Sequence, residues 1–397
     1  MTATHTSDST AAVAPVLCLA LDLGWNSWKL AFSVGLGQKP RIKTIAARVP
    51  AVLVAEIKAA KKRFNLPEDT PVVSCYEAGR DGFWLHRCLL AHGVQSHVVD
   101  SASIEINRRQ RRAKSDRLDV VKLLEMLLRY RNGETKVWAV VGAPSADDED
   151  ARQLHRELLA LKAERTSHSN SIKGLLAGLG LGIVVDDSLR ERLDNLRQWD
   201  GSKVPPGLRA RLLREFARWQ LAGQQIHELE AERTRRIREE SGPQIDQVRR
   251  LLNLKGIGEN GAWLLVWEFF GWRGFRNRRQ VASLAGLTPT PYTSGESRRE
   301  QGISKAGNRR VRCMAIELAW GWLRYQPQSE LTRWYLRRFG AGNTRLRKVG
   351  IVALARKLLI ALWKYLETGE SPGGAEVVGW DKKPKFRVIK LRRRKAS

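Results

Sequence analysis

The sequence predicts an α/β domain at the N-terminus, a long helical region after it, and a mainly α-helical domain at the C-terminus. Three observations predict this order: β-rich runs in close succession before residue 50, a change to leucines spaced four and three apart after about residue 149, and a glycine-punctuated apolar stretch from Leu251. At 397 residues the chain exceeds one ordinary core and has length for two or three domains.

VLCLALDLG and WKLAFSVG read as two strands joined by a short polar turn, and RIKTIAARV as a third, giving a β-meander. PAVLVAEIKAAKKRF has helical spacing, PVVSCYEAG is strand-like, DGFWLHRCLLAHG is helical, QSHVVDS is a short strand, and another helix begins near Asp116. Three antiparallel strands followed by alternating helices and strands form an α/β layer of the ribonuclease-H type. DLG near the N-terminus also opens the phosphate loop of actin-like ATPases. That fold needs further glycine-rich phosphate loops, for which VVDS and GLGLG are poor substitutes.

In the middle region Leu154, Leu158 and Leu161, then Ile172, Leu175 and Leu179, fall on alternating four- and three-residue steps, interrupted where Arg165 and His168 take the seam. Leu212, Phe216, Trp219, Gly223 and Ile226 continue the rhythm beyond the breakers GLGLGIVVDD and WDGSKVPPG. Two helices therefore fold back on each other or pair between subunits, and the seam length fits a helical hairpin and a dimerising coiled coil equally. The expected domains are a disordered tail over 1–15, an acidic catalytic domain over 16–145, a helical coiled-coil region over 146–245, a helix-hairpin-helix domain with a serine segment over 246–370, and a basic tail over 371–397.

Lys and Arg total 70 against 41 Asp and Glu, a net charge of +29 that creates a field attractive to nucleic acid. Cys18, Cys75, Cys88 and Cys313 form no CxxC pair, so neither zinc nor disulfides are expected. The first fifteen residues lack a charged leader, and GAWLLVWEFFGW contains Glu268 and is too short to span a bilayer, so a cytoplasmic protein without membrane contact is expected.

Four carboxylates carry the chemical argument. Asp22 ends the first strand and Glu77 ends another, both where side chains project from a sheet edge. Asp116 and Asp119 stand three apart at a helix start, on one face and near the positive end of its dipole. If that helix packs beside the first strand, the four converge into a centre for magnesium, or manganese, acting on phosphodiesters. The competing reading makes Asp116 an ordinary N-cap, Asp119 a first-turn residue and Asp22 a turn residue.

LNLKGIGENGAWLL fits a helix-hairpin-helix: Leu254 and Ile257 pack inward, while Gly256 and Gly258 let backbone amides approach a phosphate. Next, Ser294 and Gly295 follow a Thr-Pro-rich turn, with Arg298, Arg299, Lys305, Arg309, Arg310 and Arg312 close by. A serine attacks phosphorus only when its proton is removed and the developing charge is offset, tasks suited to arginines and metal. Ser297 and Ser304 are rivals, and a phosphate-binding Ser-Gly turn is the simpler reading. Lys390, Arg392, Arg393 and Arg394 lie in a basic arm expected to order on nucleic acid. Trp263, Trp267, Trp320 and Trp322 sit in apolar helical runs and read as core.

The order of five motifs resembles the DEDD insertion-sequence transposases, the bridge recombinases: ALDLG, YEAGRDGFWLHR, RRAKSDRLDVVKLL, LKGIGENGAWLL and LAGLTPTPYTSGESRREQGISKAGNRRVR. The resemblance covers about residues 17 to 370. It implies a RuvC-like N-terminal domain whose Asp22, Glu77, Asp116 and Asp119 hold magnesium, and a C-terminal transposase domain whose Ser294 forms a covalent phosphoserine with DNA. It further implies a dimer or tetramer joined by the coiled coil, with the site completed across subunits, and a structured guide RNA that pairs with donor and target double-stranded DNA. The chain has Glu-Ala-Gly-Arg where many such proteins have Glu-Ala-Thr-Gly, and Lys-Ser-Asp where Lys-Thr-Asp is frequent.

Overall fold

Strand β1 (Leu17–Leu23) is the middle strand of a five-stranded sheet. It pairs antiparallel with β2 (Ser27–Ser33), which pairs antiparallel with β3 (Arg41–Ala46). On its other side β1 runs parallel to β4 (Val72–Glu77), itself parallel to β5 (Val94–Val99), so the order is β3-β2-β1-β4-β5. The computed structural model describes residues 14–79, 82–104, 116–294 and 297–382. Two units emerge, residues 1–144 and 145–397.

Alternation along the strands divides the first unit into two layers. Leu17, Leu19 and Leu21 of β1 and Tyr76 of β4 face one core, shared with Leu53 and Ile57 of α1 (Pro50–Arg63) and Leu85 and Leu89 of α2 (Trp84–Ala91). Cys18, Ala20, Ala31 and Cys75 face the other, covered by Val120, Leu123, Leu124 and Leu127 of α3 (Asp116–Arg131). Small side chains on the sheet let α3 lie close, and each leucine buried there contributes roughly 1.5–3 kcal/mol.

In the second unit α4 (Ala146–Ala151) starts on a capping box between Ser145 and Asp148. It leads into α5 (Gln153–Ala177), the short α6 (Leu189–Leu193) and the long α7 (Pro206–Glu239). α5 and α7 pack antiparallel within one chain: Leu158 and Leu161 cluster with Ile226, while Ile172 and Leu176 cluster with Leu212, Phe216 and Trp219. The polar seam positions are filled as the spacing indicated. Arg165 stacks over Trp219 at 4.3 Å from the ring centroid, in space left by Gly223, and His168 Nδ1 lies 2.7 Å from Glu215 Oε2.

Beyond α7 come α8 (Pro243–Leu252), α9 (Glu259–Leu265), a π turn (Val266–Phe270) and α10 (Arg278–Leu284). A hairpin of β6 (Pro289–Ser294) and β7 (Ser297–Ile303) follows, then α11 (Arg309–Tyr325), α12 (Glu330–Phe339) and α13 (Thr344–Thr368). α13 buries Ile351, Leu354, Ala355, Leu358, Leu359 and Leu362, the broad apolar face of a core helix. Trp263 and Trp322 are buried, and Trp267 packs partly buried against the same core. Trp320 departs from expectation: it is 51 % exposed, because two residues before an inward Trp322 the helix turns its side chain outward. Among the described residues no helix is long and apolar enough to cross a membrane.

Candidate active site

The acidic centre follows from strand parity. Asp22 continues the Cys18–Ala20 side of β1, and Glu77 continues the Val73–Cys75 side of β4, so both stand on the face covered by α3. The strands are adjacent and parallel with Leu21 beside Tyr76, which makes Asp22 and Glu77 the next pair along the register. Helix α3 runs opposite to β1. Near its C-terminal end Arg131 Nη1 donates to Cys18 Sγ at 3.5 Å, and midway Leu123 O accepts from Cys75 Sγ at 3.6 Å. Its first turn, which carries Asp116 and Asp119, therefore points to the strand ends that hold Asp22 and Glu77. Asp119 is one helical turn before Leu123, as Glu77 is one strand repeat beyond Cys75.

A cavity of about 330 Å³ opens at this end, lined by Asp22, Tyr76, Glu77, Gly79, Gly82 and Ser101 among others. The loop after β4 is shaped by Tyr76 Oη donating to Gly82 O at 3.3 Å and Ser101 Oγ donating to Ala78 O at 3.0 Å. Asp22 and Glu77 thus share one cavity, while Asp119 is half-buried on the helix above the same sheet face and is not among the cavity's lining residues. Of Asp116 the structure describes the backbone position alone, at the start of α3. Among the described residues no three His, Cys, Asp or Glu side chains are gathered closely enough to hold a metal ion. Carboxylate oxygens are hard donors of the kind magnesium and manganese take, so the chemistry of the donor set fits such an ion. Tyr76 and Ser101 were missed by sequence reasoning; their signal was their place beside strand-end acidic residues, in CYEAG and VVDS.

In the second unit the serine segment is a β-hairpin. Ser294 is the last residue of β6 and pairs with Ser297, the first of β7, so both flank the hairpin's end; Gly295 and Glu296 lie outside the described residues. The register sets Arg298 opposite Thr293 and Arg299 opposite Tyr292. Ser304 is elsewhere, at the hairpin's base, where its N–H donates to Thr288 O at 2.8 Å and its Oγ accepts from Thr288 Oγ1 at 3.3 Å. Lys305, Arg309 and Arg310 are exposed, whereas half-buried Arg312 donates from Nη1 to Ala285 O at 3.2 Å and so serves the fold as well.

The glycine hairpin lies between α8 and α9, with Leu254 and Ile257 buried. Gly256 has φ +87°, and a Cβ there would sit 2.9 Å from Tyr325 Cβ, so glycine is required by both the backbone and the packing of α11. Gly258 precedes α9 with open space around it. Lys390, Arg392, Arg393 and Arg394 lie outside the described residues.

One feature escaped the sequence reading, which took Glu268 only as a charge interrupting an apolar run. Glu268 lies in the π turn, 2 % exposed, with Arg156 Nε and Nη2 donating to its two carboxylate oxygens at 2.7 and 3.1 Å. Burial pushes its carboxyl up, but the Arg156 hydrogen bond and the fields of Arg156, Arg152 and Arg310 hold it below the usual range. His155 is fully buried beside this network; burial, with Arg233 nearby, holds its imidazole down to about 4. The signal available in sequence was a lone acidic residue inside WLLVWEFFGW.

Two carboxylates lining one cavity at a sheet end, in a chain of net charge +29, suit chemistry on nucleic acid. Residues 248–333 match the family described as Transposase IS116/IS110/IS902 family. Over 375 residues, 90 % of this chain and 93 % of the relative, the sequence is 41 % identical to a putative transposase, y4rJ, of Sinorhizobium fredii. It is 27 % identical over 229 residues, 57 % of this chain and 66 % of the relative, to the transposase for insertion sequence element IS1328 of Yersinia enterocolitica. It is 29 % identical over 243 residues, 59 % of this chain and 68 % of the relative, to a probable family 20 transposase of Pseudomonas aeruginosa. The chain belongs to the IS116/IS110/IS902 family of transposases, enzymes that cut and recombine DNA.

Proposed function

We propose that this transposase exchanges DNA strands through a covalent phosphoserine on Ser294, with Asp22, Glu77, Asp116 and Asp119 forming an acidic centre on a RuvC-like, ribonuclease-H type domain. The observation that carries the reading is the position of Ser294 at the end of a hairpin whose partner strand places Arg298 and Arg299 one and two pairs away along the register. Ser304, tied into the hairpin's base, is the poorer nucleophile. In the proposed step Ser294 Oγ bonds to phosphorus as the bond from phosphorus to a DNA sugar oxygen breaks, and the proton that Ser294 gives up is balanced by the one the sugar oxygen takes up as it leaves as a hydroxyl. A second DNA hydroxyl then attacks phosphorus and restores Ser294. Arg298, Arg299, Lys305, Arg309 and Arg310 offset the phosphate charge.

Asp22 and Glu77, with Asp119 and Asp116, would hold magnesium or manganese; the ion, when bound, offsets charge on phosphate oxygens. The sheet order, the strand parity of Asp22 and Glu77, and the first turn of α3 toward them support this assignment. Guidance by a structured RNA pairing with donor and target DNA, and action as a dimer or tetramer, belong to the same proposal. They rest on the motif order and on the positive charge available for two polyanions.

Incubation with substrate DNA followed by denaturing electrophoresis tests the serine. Wild-type protein should yield a covalent protein–DNA adduct, and Ser294→Ala should bind DNA without forming it. An adduct persisting in Ser294→Ala overturns the assignment. Free DNA ends with no adduct from wild-type protein would show that water attacks instead.

A further inference from the structure

The buried carboxylate of Glu268 has no place in the chemistry above, yet the surrounding structure converges on it. It sits in a π turn, a distortion that is frequent at functional positions. Glu268 lies in the fields of Arg152, Arg156, Arg273 and Arg310, and its short bidentate partner is Arg156 of α5. Its second oxygen and its main-chain oxygen each accept from Asn308 Nδ2 at 3.4 Å.

Asn308 is the hinge of the arrangement. Its Oδ1 accepts from the N–H groups of Arg310 and Val311 at 3.0 and 3.2 Å, which caps α11. Its own N–H donates to Leu284 O at 2.8 Å at the end of α10. The loop from Ser304 to Asn308 interlocks with that helix end. Lys305 N–H donates to Gly286 O, and added Cβ atoms on Gly286 and Gly307 would lie 2.2 Å from Ala306 O and Leu284 O respectively. Ser304 in turn bonds Thr288 across the base of the β6–β7 hairpin. An unbroken path of hydrogen bonds and backbone thus runs from Arg156 through Glu268 and Asn308 to the strands that end at Ser294 and Ser297.

We infer that Glu268 is a positioning residue: its carboxylate joins the helical hairpin, through Arg156, to Asn308, and so fixes the base of the hairpin that carries Ser294. The inference rests on Ser294 as nucleophile for its catalytic consequence, but not for its structural one. A carboxylate suits the task because it accepts from a guanidinium and an amide together, and a bidentate pair fixes the geometry of both partners.

Two measurements on full-length protein test it. The chief variant is Asn308→Ser, because serine still caps α11 and loses only the link to Glu268; Glu268→Gln is the second. Hydrogen exchange read by mass spectrometry should show protection over residues 286–311 falling roughly tenfold or more in both variants, with residues 16–100 unchanged. The rate of covalent adduct formation should fall by a similar factor while DNA affinity and the melting temperature of Asn308→Ser stay at wild-type values. Unchanged protection in Asn308→Ser overturns the inference, whatever Ser294 does. Lost protection with an undiminished adduct rate overturns the positioning of Ser294. An adduct that survives Ser294→Ala overturns the nucleophile alone and leaves the exchange result to judge Glu268.

Discussion

The two ends of this chain use charge in opposite ways. In the first unit the acidic groups stand outside the apolar frame: Asp22 and Glu77 lie past the last buried residues of β1 and β4, and the sheet is held by apolar layers on both faces. In the second unit charge is part of the frame. Glu268, Arg152 and Arg233 are buried; Glu268 joins α5 and the start of α11 to the π turn, and Arg233 joins α7 to α9. Removing a charge from the first unit should therefore cost activity and little stability, and removing one from the second should cost stability first.

The largest effect is expected at Asp22. Asp22→Asn keeps the size of the side chain and changes its charge, so DNA cleavage and adduct formation in magnesium should fall roughly a thousandfold or more. Its melting temperature should stay close to that of wild type. Calorimetry beside a cleavage assay checks both halves, and retained cleavage would reduce the carboxylates to turns and caps. In the second unit Glu268→Ala leaves half-buried Arg156 without its partner and should destabilise that unit by about 1–3 kcal/mol, read by denaturant unfolding. A loss near zero would erase the contrast.

The histidine of the same network gives the comparison a pH axis. His155 has its imidazole held down to about 4, against 6.5 for an ordinary one, by burial and by Arg233, Lys162 and Arg310 against the opposing field of Glu268. Between those values the unfolded chain binds a proton that the folded chain refuses. This contribution to stability is therefore complete above pH 6.5 and is lost as pH falls toward 4, about 2 kcal/mol between pH 7 and 5. His155→Leu should remove that part of the slope. Unfolding free energies at pH 7 and 5 for the two proteins supply the check, and equal slopes would refute it.

How much of this could be read in the sequence differs between the units for a physical reason. Strands alternating about Leu17, Leu19 and Leu21, and a helix spaced for Val120, Leu124 and Leu127, are local patterns, so these elements and the strand-end positions of Asp22 and Glu77 were legible, while the face they share comes from the pairing of β1 with β4. The cavity residues Tyr76 and Ser101 were not, because a loop's hydrogen bonds set their place. The β6–β7 hairpin was read as a turn and a basic stretch, since prolines at 289 and 291 and the charges of β7 mask its alternation. Glu268 was read as a blemish in an apolar run because its partners Arg156 and Asn308 lie 112 and 40 positions away. Trp320 misled in the opposite sense, lying in an apolar run on the outward side of α11.

The smallest expected effect tests whether charge in the second unit carries weight wherever it is enclosed, or only where several elements meet. Arg165 lies in the α5–α7 seam, half-buried, over Trp219 and against Gly223. It joins two helices that Leu158, Leu161, Ile172, Phe216 and Ile226 already hold together. Arg165→Ala should cost about 1 kcal/mol, the worth of one cation–π contact and its aliphatic stem. Arg165→Leu should recover most of that by filling the same space over the indole. Denaturant unfolding of the two variants decides the matter: if Arg165→Leu is as damaged as Glu268→Ala, the guanidinium itself is indispensable in the seam, and the hairpin is held by charge as firmly as the π turn.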